Sequence, residues 1–236
     1  GGAGNDIIYT LGDKGGEQHV HGGLGNDTLY VGGTLANGDR GSYVYGDAGD
    51  DTLNATQGDV KSDLMGGAGN DTYIINNLHN RVIENVDDGY DTVQTSVSFS
   101  LQAGEMFIPD SVDVPATTGN LERLLMTGTA NIDGFGNELV NYLLGNAGNN
   151  VLLGRDGADT LVGQGGNDLL DGGNGNDTLA PVTHASSLGT PNVHTGQITL
   201  TGGNGSDMFW MTQGYVGDHS SGGNTLTLSD FVHGQD

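Results

Sequence analysis

The chain has 236 residues, with 30 acidic side chains against 6 basic ones, a formal charge of −24, 45 glycines and no cysteine. That balance argues against binding nucleic acid or an anionic membrane surface, and no run of 18 apolar residues is present to span a bilayer. No disulfide can staple the fold, and so many glycines carry an unfolding entropy that a thin core alone does not overcome.

The predicted elements begin at residue 1. Nine times the chain writes a six-residue turn, Gly-x-x-Gly-x-Asp or a near variant, followed by a short apolar triplet. The instances are GGAGNDIIY from Gly1, GGLGNDTLY from Gly22, GDAGDDTLN from Gly46, GGAGNDTYI from Gly66, GNAGNNVLL from Gly145, GRDGADTLV from Gly154, GQGGNDLLD from Gly163, GGNGNDTLA from Gly172 and GGNGSDMFW from Gly202. Glycines at the first and fourth positions are expected to take positive φ and turn the chain sharply. The triplet alternates as a strand does, so its middle residue faces inward: Ile8, Leu29, Leu53, Tyr73, Leu152, Leu161, Leu170, Leu179 and Phe209. Two repeats make one flat coil of 18 residues, with a strand on each face and a turn at each edge.

Residues 1–95 form a first block. Its sixth-position acids are Asp6, Asp27, Asp51, Asp71 and, in the looser turn VDDGYDTV, Asp91. They are spaced by 21, 24, 20 and 20 residues, one coil plus an insertion each time, so all five are expected on one edge. The opposite edge, GDKGGEQHVH, GGTLANGDRGSYVY and GDVKSDLM, is degenerate and should hold few or no ions. Residues 96–135 contain no good nonapeptide; the roll is expected to continue there as a linking β segment, with longer turns around residues 104–120. Residues 136–180 are five consecutive nonapeptides if the weak GNELVNYLL is counted, and both edges are expected to be regular. In 181–236, the stretch 181–201 carries two prolines and reads as a loop replacing a half-coil, before the last repeat and an apolar end.

Stacked coils lie about 4.8 Å apart, the ordinary strand spacing. Each sixth-position carboxylate (Asp6, Asp27, Asp51, Asp71, Asp91, Asp159, Asp168, Asp177, Asp207, with Asn150 the exception) then lies near that of the next coil on its edge. Two such charges repel by roughly 1 kcal/mol in water and roughly 3–4 kcal/mol at an intermediate dielectric. A hard divalent cation between layers, ligated by carboxylates and turn carbonyls, converts the repulsion into cohesion.

These turns resemble the nonapeptides of the RTX (repeats-in-toxin) calcium-binding family. The resemblance implies an all-β, calcium-bound parallel β-roll (a β-solenoid) holding several Ca2+ ions, with a capping element at the C-terminal end like the DFxxGxD of such rolls. In that family an ion takes the carbonyls of positions two and four and the sixth-position acid from one turn. It takes the carbonyls of positions one and three and the acid from the next turn on the same edge. Carried over, Asp6 and Asp27 bracket an ion with Gly2, Gly4, Gly22 and Leu24; Asp27 and Asp51 one with Gly23, Gly25, Gly46 and Ala48. Asp51 and Asp71 bracket one with Asp47, Gly49, Gly66 and Ala68, and Asp71 and Asp91 one with Gly67, Gly69 and Asp88. In the later block the resemblance implies Asn150 and Asp168 with Asn146, Gly148, Gly163 and Gly165. It implies Asp159 and Asp177 with Arg155, Gly157, Gly172 and Asn174, and Asp177 and Asp207 with Gly173, Gly175, Gly202 and Asn204. The Asn150 site should be the weakest, because an amide oxygen carries no net charge.

Other constellations read blandly. His19 and His21 share a strand face without an evident third ligand, and His184, His194, His219 and His233 fit no metal or triad spacing. The glycine-rich turns lack the following helix and lysine of a phosphate loop, and no GxSxG or HExxH is present, so no enzyme activity is expected. Met208, Phe209, Trp210 and Met211 read as a cap on the core.

The family resemblance implies a calcium-dependent structural module of a secreted protein such as an adhesin. Such proteins leave the cell unfolded through the type I secretion machinery and fold outside it or at the cell surface. A partner beyond calcium would be an extracellular or cell-surface ligand of the parent protein. The alternatives are the tail of a secreted protease, lipase or alginate-modifying enzyme, or a surface-layer or ligand-binding module using the loops at 34–45 and 181–201. No signal peptide is legible, since residue 1 already opens a turn, and a piece of a longer protein is expected.

Overall fold

The apolar triplets and the turns between them set a period at which strands stack in parallel. The computed structural model describes residues 1–11, 18–33, 42–58, 61–86, 88–103, 107–108, 112–113, 116–117, 120–182, 196–210 and 225–229. The chain divides into two compact units, Gly1–Arg123 and Leu124–Asp236, a boundary inside the segment without nonapeptides. All the regular elements described are strands. No helix of the described residues is long and apolar enough to cross a membrane.

In the first unit the strands are β1 (Gly2–Ala3), β2 (Ile7–Leu11), β3 (Gln18–Leu24), β4 (Thr28–Gly33), β5 (Ser42–Ala48), β6 (Thr52–Gly58) and β7 (Ser62–Ala68). They continue as β8 (Thr72–Ile75), β9 (Arg81–Ile83), β10 (Thr92–Thr95), β11 (Phe99–Ser100), β12 (Phe107–Ile108), β13 (Val112–Asp113) and β14 (Ala116–Thr117). One face is the parallel sheet β1-β3-β5-β7-β9-β14, and the other carries β2-β4-β6-β8-β10. Successive coils stack residue on residue: Thr28 on Thr52 and Thr72, and Leu29 on Leu53, which pairs in turn with Tyr73. Between the faces lie Leu29, Leu53, Tyr73 and Val93 from one sheet and Val44, Leu64 and Val82 from the other, all fully buried. Ile8, at the open end, is only half-buried. The pair β12–β13 is antiparallel and falls within 104–120, where longer turns are expected, and β14 after it pairs with β9 in parallel.

The second unit opens within β15 (Arg123–Met126), followed by β16 (Gly134–Phe135), β17 (Tyr142–Leu144), β18 (Val151–Asp156), β19 (Thr160–Val162) and β20 (Asp168–Asn174). Then come β21 (Thr178–Ala180), β22 (Gln197–Asn204), β23 (Met208–Phe209) and β24 (Thr225–Leu228). Its two parallel faces are β15-β17-β19-β21-β23 and β16-β18-β20-β22-β24. Here the period is the bare coil: Leu143 pairs with Leu161 and Leu161 with Leu179. The step from Asp177 to Asp207 is longer, yet Leu179 still pairs with Phe209 and β22 still pairs with β20, so the half-coil of the other face is kept instead of being replaced by the stretch 181–201. Phe209 is half-buried, whereas Met208 and Trp210 are 53% and 41% exposed, so this cluster flanks the core instead of capping it. Met211, the histidines at 184, 194, 219 and 233, most of both long loops and the DFVHGQD end lie outside the described residues.

Candidate metal centre

The turns do their work by pointing peptide groups in alternate directions. Positive φ falls at the second and fourth positions (Gly23 and Gly25, Gly67 and Gly69, Gly173 and Gly175, Gly203 and Gly205), not at the first, which corrects the expectation. Asp47 and Arg155 take the second-position conformation without being glycine, at φ 76° and 83°. The first-position glycines are needed for space instead. A Cβ on Gly46 would meet the carboxylate of its own Asp51 and, at 2.5 Å, the carbonyl oxygen of Gly66 in the next coil. A Cβ on Gly172 would likewise meet Asp177 and, at 2.6 Å, the Gly202 carbonyl.

The same crowding reveals where the carbonyls aim. Those of Gly2, Asp47, Arg155 and Gly173 (second position) and of Gly4, Gly25, Gly49 and Gly157 (fourth position) point forward onto the turn of the following coil. Those of the first position point back. Third-position carbonyls also point back, accepting the fourth-position N–H of the preceding coil: Gly4 to Leu24 at 2.7 Å, Gly25 to Ala48 at 2.9 Å, Gly49 to Ala68 at 2.8 Å and Gly69 to Asp88 at 2.7 Å. In the second unit Gly157 donates to Asn174 and Gly175 to Asn204 in the same way. Oxygens from two coils therefore converge on the gap between them, a set that suits a hard cation.

The sixth-position acids line that gap. Asp27 Oδ1 accepts the Asp6 N–H at 2.7 Å, Asp51 that of Asp27 at 2.7 Å, Asp71 that of Asp51 at 2.7 Å and Asp91 that of Asp71 at 2.8 Å. Asp159 accepts from Asn141, Asp177 from Asp159 and Asp207 from Asp177. One oxygen of each is thereby used. The other, Oδ2, is buried without a hydrogen-bond partner in Asp27, Asp51, Asp71, Asp159 and Asp177, residues that are each 1–2% exposed. A buried carboxylate oxygen with no donor is costly unless a cation meets it, and this row of oxygens fits calcium. Burial pushes Asp71 and Asp159 up to about 7, and Asp51, Asp91 and Asp177 up to about 6. Neighbouring carboxylates add to the rise, against the lowering effect of the backbone N–H bond.

The other edge of the second unit keeps the 18-residue register but not a carboxylate at each sixth position. Asn150 N–H donates to Asp168 Oδ1 at 2.9 Å, as the spacing requires. The Asn150 amide, however, donates to the Ile132 carbonyl at 2.7 Å and to Asn146 Oδ1 at 3.1 Å, while Asn146 also donates to Ala130. Beyond Asp168 the matching residue is Ile198. Neutral amides and isoleucines thus surround the single sixth-position carboxylate of Asp168 on that edge, although Gln164 and Gly166 keep the positive φ of the second and fourth positions, at 84° and 102°. Asp159 and Asp168, neighbours in sequence, belong to opposite edges.

Several residues escaped the sequence reading. Glu84 holds the first position of the turn ending at Asp91, since Leu64 pairs with Val82 and Met65 with Ile83. Its carboxylate lies with those of Asp71 and Asp91, the ligand oxygens all within 4.8 Å, and it accepts a hydrogen bond from the Tyr73 hydroxyl. Burial raises Glu84 to about 8. Glu122 extends the column, its Oε2 accepting the Asp91 N–H at 2.8 Å. Fifth-position side chains form a second ladder: Asn5 Oδ1 accepts from Asn26 N–H, Asn26 from Asp50, Asp50 from Asn70, and Asn70 from Tyr90. Asn131, Asn149 and Asn167 repeat this in the second unit. The recurrence of Asn or Asp just before most sixth positions was the available signal. His19 and His21 join no ligand cluster among the described residues; they stack on Tyr43 and Tyr45, with centroids 4.9 and 4.4 Å apart.

No curated protein matches the chain. The RTX calcium-binding nonapeptide repeat does, in four copies at residues 1–14, 15–33, 38–60 and 135–179. Each of the three copies in the first unit contains one acid of the column, Asp6, Asp27 or Asp51, and the fourth contains Asp159, Asp168 and Asp177 of the second unit. Repeat sequence, parallel roll and convergent oxygens agree: the chain carries four copies of the RTX calcium-binding nonapeptide repeat, and Ca2+ is the cofactor of these repeats.

Proposed function

We propose that this chain is a non-catalytic, calcium-dependent folding module of a secreted RTX protein of the adhesin kind. It leaves the cell unfolded by type I secretion and folds outside, where calcium is plentiful. The observation that carries this reading is the row of buried aspartates whose Oδ2 atoms have no donor. Folded without a cation the row is repulsive; with one it is the main cohesion. Sites of the extracellular class bind in the range of roughly 10⁻⁴–10⁻³ M, which leaves them empty in a cytosol and filled outside.

Ions are assigned between Asp6 and Asp27, Asp27 and Asp51, Asp51 and Asp71, and Asp71 and Asp91, and in the second unit between Asp159 and Asp177 and between Asp177 and Asp207. The position between Asn150 and Asp168 is the weakest, because the Asn150 amide is neutral and already engaged. The test is circular dichroism of the full chain with excess chelator and with millimolar calcium. A largely disordered chain that becomes β-rich on adding calcium is expected. A chain that stays β-rich in chelator at neutral pH would overturn the reading. Magnesium should restore little of the signal, since it demands a tighter octahedral shell than a carbonyl-rich gap offers.

A further inference from the structure

We infer that the layer between Asp71 and Asp91 is the tightest calcium site of the first unit, because Glu84 supplies a third carboxylate where every other turn supplies a main-chain carbonyl. The inference rests on the calcium reading above and concerns only how the sites differ. In the regular turns a Cβ at the first position would strike the turn's own aspartate. Here the turn from Glu84 to Asp91 carries two additional residues, because Gly69 N–H donates to Asp88 as the third-position carbonyl. The extra length opens room for a side chain at the first position. The Glu84 carbonyl is turned to another use, accepting the Asn120 amide at 3.3 Å, while the carboxylate enters the gap.

Acidic residues brought together do not by themselves make a site, but two independent features point into this one. Asp71 is 1% exposed and its Oδ2 has no hydrogen-bond partner. That oxygen and the Tyr73 hydroxyl both lie where a Gly66 Cβ would be, and the hydroxyl accepts the Gly66 N–H at 2.5 Å while donating to Glu84. Tyr73 is fully buried, so its ring sits in the core and its polar tip holds Glu84 toward Asp71 and Asp91. Each aspartate of the column is shared by the ions on either side of it, so Glu84 adds a full negative charge that the other layers lack. Charge count is one of the properties by which such sites tune affinity, and a trivalent lanthanide should gain even more.

The experiment is a calcium titration of the chelator-stripped full chain by calorimetry, with Glu84→Gln and Asp51→Asn as variants. One step tighter than the rest is expected in the unaltered chain. E84Q should weaken that step by about tenfold or more, while D51N should leave it in place and remove a weaker ion. A tightest step unmoved by E84Q, or weakened equally by D51N, would overturn the inference. Should E84Q fail to fold, terbium decides. The first equivalent should give tyrosine-sensitised emission in the unaltered chain that is lost in Tyr73→Phe, and emission unchanged in Y73F counts against it. An unaltered chain that binds neither calcium nor terbium would instead sink the underlying calcium reading.

Discussion

A single position in the repeat can be glycine for either of two reasons, and the two make different predictions. At the second and fourth positions the backbone conformation is the constraint, and Asp47 and Arg155 show that at the second position other residues can meet it. At the first position the constraint is space for oxygens. Gly172→Ala should therefore destabilise the calcium-bound chain by about 1–3 kcal/mol, the usual range for overpacking, and lower the ion count by one. Gly2→Ala, where an added Cβ meets nothing within 4 Å, should be silent in the same thermal melt. The sixth position predicts a change of sign. Asp159→Asn keeps an Oδ1 acceptor for the Asn141 N–H but removes a charge. It should cost on the order of 1–3 kcal/mol with calcium bound and favour the fold in chelator, where that charge only repels. Melting in calcium and the size of the β signal in chelator check it, and a loss in both would show that the carboxylate serves something besides the ion.

At the scale of the element, each turn is tied to its neighbours by two hydrogen-bond ladders of opposite sense. The sixth-position side chain accepts from the coil before it, and the fifth-position side chain accepts from the coil after it. Asn149→Ala removes the acceptor of the Asn167 N–H, a bond 2.8 Å long on an exposed edge, and should cost about 0.5–1.5 kcal/mol. It should leave the ion count unchanged, because no metal-facing oxygen is lost. Calorimetry that finds an ion missing in N149A would contradict the separation of the two ladders. The ladder was legible in the Asn or Asp before most sixth positions, but its direction was not, since it depends on a partner a full coil away.

For the whole molecule, the buried carboxylates link ion-free stability to pH. Burial first, and neighbouring carboxylates after it, raise Asp71 and Asp159 to about 7 and Asp51, Asp91 and Asp177 to about 6, above the free value of 3.8. The folded chain thus holds more protons than the unfolded one between those limits. Its ion-free stability is present in full below about pH 4 and is lost as pH rises through 6 to 7. In chelator, lowering the pH from 8 to 5 should increase the β signal in circular dichroism, and in calcium the same step should weaken binding. A chelated chain that loses structure on acidification would reverse the sign and contradict this account.

What the residues determined unaided is the period, and with it the parallel all-β roll, the inward leucines and the order in which Asp6, Asp27, Asp51, Asp71 and Asp91 stack. Those follow from fixed offsets within nine residues, where local backbone and alternation of side chains decide the outcome. What only the tertiary structure decided is the content of each gap: Glu84 beside Asp71, Glu122 beyond Asp91, the Asn146–Asn150 amides in place of a charged pair, and the steric role of the first glycine. Each of these depends on which residue an insertion brings opposite a given turn in the next coil. That register is set by strand pairing and packing between coils, which lies beyond the reach of any nine-residue pattern.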